Sequence, residues 1–231
     1  MKILNSPGSK QVEELDKVND PSRRRFFQIT GGIAGAGILF SACHGTTGPT
    51  NSYLGSGDTA LLNYLYVLEQ LEADFYTKAV AAQYYNMSNL EYLALCDVRD
   101  QEIAHKEFIQ ALLGKNAIAA VTTNFSNVNF SDRTSVLTNA AMLEDLVIAG
   151  FNGAAGLFSS ASLNLVQVFS KLVSVEGRHS AYFRDALTHN TFTDSTVVDS
   201  NGLNISSTPL SVLASVQQFL VTQFDSSNLP N

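Results

Sequence analysis

Tryptophan is absent from this sequence, cysteine occurs twice, and no apolar run is as long as a bilayer is thick. Each absence excludes something. The one long apolar run, Ile29 to Ala42, has 14 residues, whereas a membrane-spanning helix needs about 20, so no such span is expected. The cysteines are Cys43 and Cys96; Cys43 is read below as the end of a sorting signal, which leaves no pair for a disulfide in the mature chain. Basic charge is scarce too. Lys and Arg number 14 against 21 Asp and Glu, a formal charge of −7, and no Lys/Arg block lies beyond the first 25 residues. That pattern lacks the footprint of a nucleic-acid binder, so no nucleic-acid partner is expected. What remains is 231 residues, 45% hydrophobic and 15% charged, enough to build the core of one ordinary domain.

The first fifty residues read as an address. Residues 22–28 are Ser-Arg-Arg-Arg-Phe-Phe-Gln, followed by the Gly-rich apolar stretch Ile29 to Leu39 and then Phe40-Ser41-Ala42-Cys43. Charged region, short apolar region, small residues and cut site follow in that order. The segment resembles a twin-arginine export signal ending in a lipoprotein box, with Phe27, Gln28 and Phe40 where other residues are commoner. The resemblance implies that residues 1–42 are removed, that Cys43 carries a lipid anchoring the chain to a membrane, and that the protein is exported to the periplasm or cell envelope. An uncleaved N-terminal anchor helix is the alternative. Without residues 1–42 the chain keeps 8 Lys and Arg against 17 Asp and Glu, a formal charge of −9.

Residues 43–58, rich in Gly, Thr and Ser without a period, read as a flexible tether. An all-α domain is expected over 59–190, built from four segments with apolar residues at helical spacing. The first, about 59–85, starts at an Asp58 or Thr59 cap and carries Leu61, Leu62, Leu65, Leu68, Leu71, Phe75 and Ala79 as its stripe. The second, about 89–113, is capped by Ser88 or Asn89 and stopped by Gly114. The third, about 132–158, is capped by Ser131 or Asp132, and the fourth runs from the Ser159–Ser162 break to about His189. Residues 191–231 form a C-terminal extension in which Pro209 opens one amphipathic helix through Val212, Leu213, Val216, Phe219, Leu220 and Phe224. Short breaks make two antiparallel hairpins. The long one, Lys115 to Ser131, has 17 residues that reach at most about 56 Å, against about 38 Å for a 25-residue helix. It can run the length of a bundle, the topology of a four-helix bundle with one long crossover.

Chemistry sits on these segments at matched positions. The second contains Glu102-Ile-Ala-His105 and the fourth Glu176-Gly-Arg-His179, two copies of Glu-x-x-His in a chain with only nine Glu and four His. That spacing places both side chains on one helical face. The first offers Glu69 and the third Glu144, each in an apolar setting. From Glu69 to Glu102 is 33 residues and from Glu144 to Glu176 is 32, so the hairpins repeat one layout. In an antiparallel hairpin two residues share a height when the turn lies midway between them. The midpoints are 85 to 86 and 160, the turns already assigned. Four carboxylates and two imidazoles then meet in one core layer, which is costly unless neutralised. Two divalent cations balance four carboxylates, and these ligand types suit Fe, Mn or Zn.

Those residues in that order resemble the di-metal carboxylate set of the ferritin-like superfamily, bacterioferritin and rubrerythrin among them. The run Leu68-Glu-Gln-Leu-Glu-Ala-Asp-Phe-Tyr76 is similar to a secreted ferritin-like branch that includes desiccation-related proteins. The resemblance implies a pair of iron or manganese ions, with Glu102 and Glu176 bridging, Glu69 and His105 holding one ion, and Glu144 and His179 the other. Tyr76, seven residues after Glu69, stands where the superfamily often places a Tyr beside the site; the same offset after Glu144 gives Phe151. Glu72, one turn from Glu69, can replace it or act behind it. Cys96 reads as a small buried apolar residue, Gly150, Gly153 and Gly156 as points of close helix contact, Tyr182 as core, His44 and His189 as solvated, and Arg178 as pointing away from the layer.

Three functions follow. The first is an oxidase or peroxidase using O2 or H2O2 at the metal pair, with Tyr76 assisting. The second is a metal-sequestering protein of the cell envelope, and the third a stress protein whose metals cross-link four helices. A storage cage is disfavoured, because tether, lipid and C-terminal extension have no place in such a shell.

Overall fold

The structure is a computed structural model and describes residues 52–231. The expected export signal and the expected tether as far as residue 51 lie outside the described residues. Four long helices carry the domain: α1 (Gly57–Ala82), α2 (Asn89–Leu113), α3 (Arg133–Ala155) and α4 (Leu163–Leu187). Local chemistry sets their ends. Ser88 caps α2 by accepting from Glu91 N, and Asp132 caps α3 by accepting from Ser135 N. Gly114 stops α2 at φ 55°, a conformation few other residues adopt cheaply. At the start of α1 the cap position is Ser56, without a side-chain bond, two residues before the expected Asp58. Asp58 instead accepts from Ser159 N, Ser159 Oγ and Ser162 Oγ, which ties the start of α1 to the turn between α3 and α4.

The long connection runs the length of α1, in the direction α1 runs. Near its beginning Asn63 Nδ2 donates to Asn116 O and Asn63 Oδ1 accepts from Ile118 N; then Gln70 Oε1 accepts from Val121 N and Asp74 from Thr123 Oγ1. At its far end Phe75 meets Phe125 and Phe130, and Tyr85 N donates to Ser131 O. Asn63, Gln70 and Asp74 lie seven and then four residues apart, one face of a helix. That face would otherwise be solvated. Covered by the connection, α1 is buried from Ala60 through Ala73, and its two buried amides are bonded to backbone that has no ladder of its own. The long α2–α3 crossover expected of an all-α four-helix bundle is thus observed.

The C-terminal extension differs from expectation. Helix α5 covers only Pro209–Val216, a 3-10 turn follows at Gln217–Phe219, and Phe224 lies in a strand rather than on a helix. Two short strands, β1 (Ser52–Tyr53) and β2 (Phe224–Asp225), pair in parallel. Asn124 N donates to Phe219 O and Val221 N to Thr122 O, so the extension is stitched to the crossover. Backbone pairing overrides the apolar period here because both neighbours present unpaired edges. Residues 52–58, expected to belong to the tether, are therefore part of the fold, with Leu54 fully buried. Gly153 marks the closest approach of the extension. A Cβ there would lie 1.8 Å from Ser207 O, while Ser207 N donates to Ala149 O. At Gly150 a Cβ would meet Tyr64 Oη at 2.4 Å, whereas Gly156 has open space around it.

Candidate metal centre

Helical repeat and hairpin symmetry bring one layer of acids together at mid-bundle. Glu69 and Glu72 come from α1, Glu102 and His105 from α2, Glu144 from α3, and Glu176 and His179 from α4. All five glutamates are fully buried, and the two histidines nearly so. Ligand atoms of Glu69, Glu102, His105 and Glu176 lie within 4.8 Å of one another, as do those of Glu102, Glu144, Glu176 and His179. Glu102 and Glu176 belong to both groups. Each histidine turns Nδ1 inward. His105 Nδ1 is 2.7 Å from Glu176 Oε1, 3.3 Å from Glu102 Oε2 and 3.7 Å from Glu69 Oε2. His179 Nδ1 is 2.8 Å from Glu102 Oε1, 3.1 Å from Glu176 Oε2 and 3.5 Å from Glu144 Oε2.

Proximity is not satisfaction. Eight carboxylate oxygens of Glu69, Glu72, Glu102, Glu144 and Glu176, and Nδ1 of His105, have no aligned hydrogen bond although all are buried. Orphaned buried groups cost about 1–3 kcal/mol each, more when charged, so a native core keeps so many only where another species satisfies them. Converging carboxylates with imidazole nitrogens make a hard-to-borderline donor set suited to Fe, Mn or Zn. The layer fits a metal ion.

Proton affinities reflect the crowding. Burial raises Glu69 and Glu72 well above the carboxylate range, with like charge adding to it; His105 works the other way on Glu69, and for Glu72 the strongest like-charge neighbour is Glu144. Burial raises Glu144 to about 8, partly offset by His179. Burial works to raise Glu176 as well, but the charged imidazoles of His105 and His179 close beside it prevail and hold it at about 2. Burial opposes the charged imidazoles, yet the shared carboxylates close beside them lift His105 to about 11 and His179 to about 12. A cation entering the layer must therefore displace protons.

Among the other residues singled out from sequence, Tyr76 is fully buried and its hydroxyl donates to Glu144 Oε1 at 2.5 Å. Its ring stacks on Phe183, which meets Tyr182 edge-on. Tyr182, expected in the core, is 37% exposed. Cys96 is half-buried and belongs to neither ligand group. Arg178 turns outward to Ser174 O, and His189 is exposed. Glu72, expected either to replace Glu69 or to act behind it, is as buried as Glu69 yet outside both ligand groups. One feature escaped the sequence: Gln101, beside Glu102, reaches His179 Nε2 at 3.2 Å. A glutamine at a solvent-facing helical position carries no signal in sequence.

The sequence matches the model of the ferritin-like domain family over residues 57–189, more than half its length, and the chain belongs to that family. No curated protein matches it.

Proposed function

We propose that this chain is an exported ferritin-like protein that binds a pair of iron or manganese ions between Glu69, Glu102, His105, Glu144, Glu176 and His179, and lets them react with O2 or H2O2. The observation that carries the reading is the overlap of the two ligand groups: Glu102 and Glu176 are shared, as bridging carboxylates would be, with one further Glu and one His left to each ion. Two redox-active ions supply one electron each, which balances a two-electron, two-proton reduction of O2 to H2O2 or of H2O2 to water. The chain's own part is to hold the ions in a dry layer and to place acid groups beside them. Tyr76 donates to Glu144 and so fixes that carboxylate's lone pairs, which places an O–H from outside the ligand set against the layer. Export and a lipid on Cys43 are proposed on the Arg23-Arg24 and Ser41-Ala42-Cys43 patterns, which lie outside the described residues.

The test is oxidation of Fe2+ loaded without oxygen at two ions per chain and then exposed to air or peroxide. Loss of Fe2+ should be faster than in buffer alone, and Glu144→Ala should suppress it. Equal rates, with two ions still bound, would remove the catalytic reading. That outcome would leave the non-catalytic alternative, metal sequestration or cross-linking of the helices in an envelope stress protein.

A further inference from the structure

The ligands of the two hairpins repeat, but what stands behind them does not. Glu144 Oε1 is held by the Tyr76 hydroxyl at 2.5 Å. By the internal repeat, the residue that should hold Glu69 in the same way is at position 151, which is Phe, and neither oxygen of Glu69 has a hydrogen-bond partner. His179 presents Nδ1 to the carboxylates, which leaves Nε2 facing Gln101 Oε1 at 3.2 Å. The Gln101 amide is itself oriented, because its Nε2 donates to Asp97 O at 3.2 Å. Its oxygen therefore faces the imidazole, and His179 Nε2 donates an N–H to it, which leaves Nδ1 as the nitrogen to bind a metal. The counterpart of Gln101, directly before Glu176, is Val175, which has no acceptor to offer. Among the described residues no hydrogen bond reaches His105 Nε2.

Resting on the reading of the layer as a two-metal site, the geometry points to two positions of unequal affinity: the Glu144/His179 half, oriented by Tyr76 and by Gln101 as a positioning residue, fills first and keeps its ion, while the Glu69/His105 half takes and releases the second. A ligand held from behind loses less freedom on binding, and an acceptor on the far ring nitrogen fixes the tautomer and makes Nδ1 a better donor; loss of such a partner typically weakens metal binding 10–100-fold. One ion is then resident, and the other is exchangeable cargo or substrate.

The experiment is a titration of the full chain, stripped with a chelator and kept free of oxygen, with Co2+, followed by calorimetry and by the visible absorption of the bound ion. Two steps are expected, at least tenfold apart. Glu69→Gln should keep the tight step at one ion, whereas Glu144→Gln should keep only the weak one. Gln101→Val should weaken the tight step about tenfold, and Gln101→Glu, which restores an acceptor on an exposed position, should recover it. Val175→Gln should tighten the weak step. A single step of two equal ions in the unaltered chain, or loss of the tight step in Glu69→Gln with its retention in Glu144→Gln, overturns the inference and leaves the two-metal site standing. Binding of no ion at all overturns both.

Discussion

Stripped of metal with a chelator, the protein should melt at lower temperature as the pH is raised from 6 to 8. Glu144 titrates at about 8 in the fold against an ordinary 4.5, and His105 and His179 at about 11 and about 12 against 6.5. A group whose pKa is raised by folding stabilises the fold fully below its unfolded value and loses that contribution as the pH climbs through its folded value. The contribution of Glu144 is therefore lost between 4.5 and about 8, and those of the histidines from 6.5 upward. Glu176, held at about 2, changes its contribution only below the ordinary carboxylate range, outside this window. Across pH 6 to 8 each raised group loses on the order of 1–2 kcal/mol of stabilisation. The groups face one another and do not add, so we expect a combined loss of about 2–3 kcal/mol, roughly 4–12 °C for a domain of this size. Saturating Mn2+ should act oppositely. Each ion displaces a proton from an imidazole, so the rise in melting temperature that Mn2+ produces should grow with pH. Scanning calorimetry at pH 6, 7 and 8, with and without Mn2+, measures both trends, and Glu144→Gln should flatten the metal-free one. A metal-free melting temperature that stays level or rises over this range would refute the argument.

Glu102→Ala or Glu176→Ala should abolish binding of both ions, measured as metal per chain after desalting, because each residue serves both ligand groups. Tyr76→Phe at saturating Fe2+ should leave two ions bound but slow their oxidation, read by stopped-flow absorbance. Gly153→Ala should destabilise the fold by about 1–3 kcal/mol or more, because the new Cβ meets the Ser207 carbonyl at 1.8 Å; a melting temperature within 1 °C or so of the parent would count against this contact. Replacing Arg23 and Arg24 by Lys should keep the protein in the cytoplasm of an export-competent host, and Cys43→Ser should move it from the membrane to the soluble fraction. Fractionation and immunoblotting decide both.

Much of this protein was legible before any coordinates, and the reason is that the informative features are local. Glu102 with His105, and Glu176 with His179, share a face because three residues nearly complete a helical turn. The matched intervals place the turns midway, so Glu69 and Glu144 join the same layer by hairpin geometry alone. Helix starts at Asn89 and Arg133 follow from Ser88 and Asp132, whose side chains bond amides three residues on. The tertiary structure decided what depends on which surface is covered and by what. Gln70 and Asn63 look like solvent-facing residues until the crossover lies over them, and Glu72 is buried only because three other helices close around it. Gln101 matters because α4 brings His179 within reach of it, a contact between residues 78 apart in sequence. The last segment keeps an apolar helical period through Phe224, yet the helix ends at Val216 because free backbone edges at Ser52–Tyr53 and Thr122–Asn124 offer pairing that a helix does not. Periodicity records which face is apolar; only the assembled chain determines which neighbour meets it.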